Sequence, residues 1–215
     1  MRAFRAIVGR DLRASVAGGG AVLPILFYLL VATLLPFAIG PDKALLGRIG
    51  GGLLWTAALL AALLPVERLL APDIAAGTID QLAVRGLGEE TVAAAKLLAH
   101  WLAFGPALMV ATLPAAALLG LDRGAVARLE LGLLLGTPGL AALAVGTAAL
   151  TAGLRGAAAL SGLVMLPLAV PLLIFGAGAL GESGPGAVKL LAATSLLLVT
   201  GTPFAAGAAI RAGRG

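Results

Sequence analysis

The chain has 215 residues, 60% of them hydrophobic, and its 12% of charged residues is about half the roughly 25% usual in a soluble domain, which excludes a water-facing surface. The net charge of +5 comes from basic residues that flank apolar runs instead of gathering with aromatics, which argues against nucleic acid as a partner. The absence of Cys excludes disulfides, thiolate metal sites and covalent haem attachment through Cys-x-x-Cys-His.

Lipid is therefore the solvent, and an all-α polytopic membrane protein with a single transmembrane domain over 1–215 is expected, since a span takes about 20 apolar residues. Residues 1–16 come first. There Phe4, Ile7, Val8 and Leu12 recur at helical spacing while Arg2, Arg5, Arg10 and Arg13 fall mostly on the other side. Such a helix lies in the membrane interface with its arginines toward anionic headgroups; the plainer alternative is that they only orient the first span. The apolar run over 21–39 exceeds the roughly 7–15 residues of a cleaved signal sequence and reads as a retained span.

Further spans are expected over 50–66, 92–119, 129–150, 157–180 and 188–210, making six. The third is too long for one upright helix, so a break at Pro106 or Pro114, or a tilt, is expected. Pro138, Pro167, Pro171 and Pro203 in later spans are hinges or passive kinks. The hydroxyls of Thr137 and Thr202 are placed to satisfy carbonyls freed by the following prolines. Gly132 and Gly136 form a Gly-x-x-x-Gly pair that permits close helix contact.

The longest polar connection, 67–90, holds Glu67, Arg68, Asp73, Asp80, Arg85, Glu89 and Glu90 among Leu69, Leu70, Ile74, Ile79 and Leu82. Gly77 reads as a helix stop, Thr78 as the N-cap of a second short helix, and Gln81 as the other half of a capping box. A helix–turn–helix with apolar and charged faces suits docking of another protein better than a solvated loop does. Just beyond it, Lys96, His100 and Trp101 form an interfacial cluster, with Lys96 snorkelling and Trp101 anchoring at headgroup depth. The other reading of His100 is an axial ligand or a docking contact.

The basic residues set an orientation. With both termini cytoplasmic, Arg2, Arg5, Arg10, Arg13, Arg68, Arg85, Lys96, Arg155, Arg211 and Arg214 lie inside. Lys43, Arg48, Arg123, Arg128 and Lys189 lie outside, and this bias of ten against five follows the positive-inside rule.

Catalytic signatures are missing. No Gly-x-x-x-x-Gly-Lys-[Ser/Thr] loop is present, and the single histidine, His100, leaves no His-x-x-x-His zinc pair or bis-histidine haem site in one chain. Carboxylates sit almost entirely in connections, so no buried proton relay is read. No Gly-x-Ser-x-Gly elbow occurs. Six spans, a docking segment and no engine fit a membrane subunit driven by a separate ATPase.

Several stretches carry a family resemblance: Leu34-Leu35-Pro36-Phe37-Ala38-Ile39-Gly40-Pro41, Trp55-Thr56-Ala57-Ala58-Leu59-Leu60, Glu67-Arg68-Leu69, Asp73 with Gly77-Thr78-Ile79-Asp80-Gln81-Leu82, and Ala95-Lys96-Leu97-Leu98-Ala99-His100-Trp101. Leu134-Leu135-Gly136-Thr137-Pro138, 166–175 and Thr202-Pro203-Phe204-Ala205 continue it. In their order and spacing they resemble the haem exporter B family, the membrane subunit of the ABC-type complex of bacterial cytochrome c maturation.

The resemblance implies an ABC-2-like permease in the bacterial inner membrane, paired as a homodimer with two copies of a cytoplasmic ATP-binding subunit. Its further partners would be a haem-handling membrane protein, a small membrane peptide and a periplasmic haem chaperone. ATP would be bound by the partner. In this picture Glu67, Arg68, Asp73, Gly77, Thr78, Asp80 and Gln81 become the coupling segment, and 1–16 the elbow helix. One departure is that Ala71-Pro72 and Ala75-Ala76 leave the segment less acidic than the family pattern. Haem would be cargo of the complex: this subunit would either translocate it or transmit the ATP-driven motion that releases the haem-loaded chaperone. With one His and with Met1, Met109 and Met165 as the only methionines, no tight haem site or other cofactor is expected on this chain. The alternatives are an ABC-2 permease for lipid or drug, and a membrane scaffold without transport.

Overall fold

The computed structural model describes residues 2–20, 22–40, 42–154, 156–181 and 184–213. Met1, Ala21, Pro41, Arg155 and Arg214, which enter the expectations above, lie outside the described residues. Among the described residues every regular element is helical: α1 (Arg2–Ala17), α2 (Val22–Ile39), α3 (Lys43–Leu63), α4 (Val66–Ala75), α5 (Thr78–Val84), α6 (Glu89–Leu118), α7 (Arg123–Thr151), α8 (Ala157–Gly178) and α9 (Gly184–Ala212). Six helical stretches are long and apolar enough to cross a membrane, in the chain order expected. Their outer faces carry Leu26, Leu30 and Phe37 of α2, Leu163 and Ile174 of α8, and Leu196, Leu197 and Phe204 of α9, all exposed. An exposed apolar surface this extensive belongs in lipid, and the protein is a membrane protein.

Local chemistry sets the ends of these helices. Asp42 caps α3, its Oδ1 accepting from the Ala44 and Leu45 amides at 3.0 Å each. Asp122 caps α7 by accepting from the Ala125 amide at 2.8 Å. Between α4 and α5 the chain turns at Gly77, whose φ of +65° is a left-handed conformation that suits glycine. The stop at Gly77 is as expected, but the capping box is not. Gly77 itself, which has no side chain, occupies the cap position that Thr78 was expected to hold. The left-handed turn is closed by the Gly77 amide donating to the Ile74 carbonyl at 3.0 Å, and the Gly77 carbonyl then starts α5 by accepting from the Gln81 amide at 3.1 Å.

The third span is one unbroken helix through Pro106 and Pro114. At 1.5 Å per residue its 30 residues run about 45 Å, well beyond the roughly 30 Å hydrocarbon thickness, so α6 tilts or projects instead of breaking. The expected Thr–Pro hydroxyl bonds are likewise absent among the described residues. Thr137 accepts from the Trp101 Nε1 at 3.1 Å, and bonds to carbonyls one turn back are made instead by threonines that precede no proline: Thr33, Thr56, Thr112, Thr151 and Thr200.

α7 is the hub, packing against α3, α4, α6, α8 and α9. In its most apolar window 72% of residues are buried, against 17% in the peripheral α2. The α3–α7–α8 junction is built around Trp55, which is fully buried. A side chain at Gly132 or Gly136 of α7, or at Gly176 of α8, would run into its indole. The Gly-x-x-x-Gly pair on α7 thus makes room for a tryptophan side chain from a neighbouring helix instead of a close backbone. Arg10 and Asp11 of α1 meet Asp73 of α4 and Lys96 near the start of α6, while Arg211 at the end of α9 meets Glu89 and Glu90. Both described chain ends therefore lie at one end of the bundle, the near end; the capped starts of α3 and α7 lie at the far end.

Candidate functional site

The near end assembles from three helices whose inward stripes each carry a charge. On α4, Val66 and Leu70 are buried, and Asp73 follows them at i+7 and i+3 on the same face. Glu67 and Arg68 are thereby turned outward and are exposed. On α1, Phe4, Ile7 and Val8 pack against Val92 and Ala95 of α6 with Leu82 and Leu87, and the same stripe continues to Asp11. On α6, Val92, Lys96 and His100 repeat every four residues along the buried face.

These stripes meet in an ion network. The Lys96 ammonium donates to Asp11 Oδ2 at 3.1 Å and pairs with Asp73. The Arg10 guanidinium donates to Asp73 Oδ2 at 2.6 Å and to Asp11 Oδ1 at 2.7 Å through Nε. Two cations thus face two carboxylates, and each carboxylate is held by both cations. Burial pulls the Arg10 pKa down, but the hydrogen bonds and charges of Asp11 and Asp73 outweigh it and hold the guanidinium above its ordinary value.

The interfacial reading of Lys96 is corrected by this geometry. Lys96 is only 5% exposed, its stem lying along the packed face of α6 and its head held by Asp11 and Asp73 instead of reaching outward. Trp101 is half-buried and ties inward to Thr137 of α7 instead of anchoring outward. His100 is 8% exposed and stacks on Phe104 at 5.8 Å, with its buried Nε2 lacking a hydrogen-bond partner among the described residues. Arg2 and Arg5 are exposed on α1, as the amphipathic pattern requires, but the apolar face behind them rests on α5 and α6, not on lipid. Arg10, expected on the solvent side, reaches across to α4.

The residues expected in the coupling segment therefore divide. Glu67, Arg68, Asp80 and Gln81 are exposed, Gly77 and Thr78 form the half-buried turn, and Asp73 points into the protein. Ile79 is buried and fastens α5 to the core. A cavity of about 490 Å³ opens between α1, α4 and α6, bringing Arg68, Asp73, Lys96 and His100 together with Arg10 and Asp11.

Asp11 was not singled out from sequence, although its register on the stripe of Phe4, Ile7 and Val8 is a readable signal for a buried partner. The remaining intramembrane polar contacts also went unread. Tyr28 and Thr112 share a buried hydrogen bond of 2.8 Å between α2 and α6. Thr151 and Ser161 share another of 2.9 Å between α7 and α8. Glu130, a carboxylate within α7, keeps its Oε1 buried without a partner among the described residues.

Comparison with known proteins bears on this arrangement. A family model described as CcmB protein matches residues 2–213. The chain is 45% identical over 214 residues to the heme exporter protein B of Rhodobacter capsulatus, covering 97% of this chain and 98% of that one. It is 43% identical over 220 residues to the protein of the same name from Bradyrhizobium diazoefficiens, covering 99% of each. With that of Escherichia coli K12 it shares 40% identity over 193 residues, 87% of this chain and 88% of that one.

Proposed function

The chain belongs to the CcmB family, and from that membership we propose that it is the permease subunit of an ABC-type haem export complex in cytochrome c maturation. It sits in the bacterial inner membrane with the near end cytoplasmic, which places the arginines of α1 and the α4–α5 turn inside. A cytoplasmic ATPase docks on the exposed side of α4–α5, through Glu67, Asp80 and Gln81. The chain works as a homodimer beside a haem-handling membrane protein and a small membrane peptide, and haem is cargo of the complex, not a resident group.

The observation that carries this reading is the two-sidedness of α4. Its outer side offers charged residues to a partner, and its inner side is gripped through Asp73 by α1 and α6. A displacement imposed on α4 must move Lys96 and Arg10 with it or break ion pairs in a half-buried setting, where breaking is costly. From Lys96 the motion continues along α6 to Trp101 and so to Thr137 on the hub helix.

The test is co-purification. Reversing charge with Glu67→Lys and Asp80→Lys is expected to abolish recovery of the ATPase subunit with this chain and to stop cytochrome maturation, while the chain remains in the membrane. Retained ATPase and normal maturation would overturn the docking assignment.

A further inference from the structure

We propose that the cavity between α1, α4 and α6 is an anion site for a phosphate group, and that its source is the headgroup of an anionic phospholipid. Charge accounting comes first. Asp11 and Asp73 each hold contacts from both Lys96 and Arg10, so these four groups are neutral as a set. What remains on the wall is the Arg68 guanidinium, the Ser15 hydroxyl and the His100 imidazole. None of the three makes a side-chain hydrogen bond or ion pair among the described residues. They offer donors and one net positive charge with no carboxylate left to answer them, which is the complement of a phosphate.

Size and depth select the source. A volume of about 490 Å³ holds a headgroup with the first part of its glycerol and acyl portion. The rest of the wall is Ala, Gly, Pro and Leu, so it suits an amphiphile better than a hydrated ion. Gly20, just before α2, and Pro65, just after α3, both border the cavity. It therefore lies at the ends of two spans, at the level of lipid phosphates. Arg68 stands at the exposed rim and His100 in the buried wall. A phospholipid bound there would fill the gap between the elbow helix and α4 and would seat the ion network against lipid.

The test uses the full-length chain purified in detergent, titrated with phosphatidylglycerol, phosphatidylcholine or inorganic phosphate and read by native mass spectrometry. A saturable one-to-one adduct with phosphatidylglycerol is expected, with weaker phosphatidylcholine binding and little displacement by millimolar phosphate. Loss of one charged hydrogen-bonding group should weaken that adduct about tenfold in Arg68→Gln, with Arg68→Lys intermediate. Arg123→Gln at the far end should bind as the parent does. Equal binding of the two lipids, or an Arg68→Gln variant that binds phosphatidylglycerol undiminished, would overturn the site. Full displacement by inorganic phosphate would overturn the lipid source. No ATPase enters this measurement, so its outcome is separate from that of the docking test.

Discussion

The Trp55 seat in the middle of the bundle and the Lys96 joint at its near end hold helices together by opposite means. At Trp55 the joint rests on packing: the indole Nε1 has no partner among the described residues, and three glycines leave room for the ring. Around Lys96 four charges from three helices converge. In lipid no hydrophobic force draws helices together, so the middle of the bundle depends on close packing. At the near end water and headgroups are close, the desolvation cost is lower, and charges serve. The two joints differ in what they permit. A packed seat has one geometry, whereas Arg10 and Lys96 share both carboxylates and can trade partners as α4 moves.

That contrast is open to attack at its strongest point first. Lys96→Met keeps most of the stem volume but leaves Asp11 and Asp73 with one cation, and should cost about 3 kcal/mol of stability in detergent thermal unfolding. A loss well under about 1 kcal/mol would show that the network is a surface ornament. Gly176→Ala, which pushes a methyl into the Trp55 ring, should cost about 1–3 kcal/mol. Much of that loss should be recovered by adding Trp55→Phe, because the smaller ring gives the methyl space; no recovery would separate Gly176 from the seat. The smallest effect is expected from Arg10→Gln. Its side chain is 44% exposed, so solvent screening holds the cost below about 1 kcal/mol. High salt should erase that difference while leaving the Gly176→Ala deficit unchanged, since screening acts on exposed charges and not on packing.

Much of this fold was readable in advance because lipid imposes it. Runs such as 21–39 and 157–180 have no other stable state than a helix once their backbone must satisfy itself. The break at Gly77 was equally legible, since a helix stop there is a local matter of φ. Thr78 is not the cap because the alternative, a glycine turn closed by the Gly77 amide on the Ile74 carbonyl, depends on how tightly α4 and α5 fold back. Lys96 was misjudged for a different reason. A lysine near the end of a span usually snorkels, and only the arrival of Asp11 from 85 residues away and Asp73 from another helix makes burial the better state.

By itself, then, the amino-acid sequence determined the helical class, the six crossings, the helix break at Gly77 and the family, because each follows from local composition or from residue order. Only the tertiary structure decided that Asp73 faces inward while Glu67 faces out, that Arg10 belongs to a network, and that an unanswered Arg68 and His100 border one cavity. Those facts depend on which stripe of one helix meets which stripe of another. Helix rotation in a bundle is set by packing partners that no single segment contains.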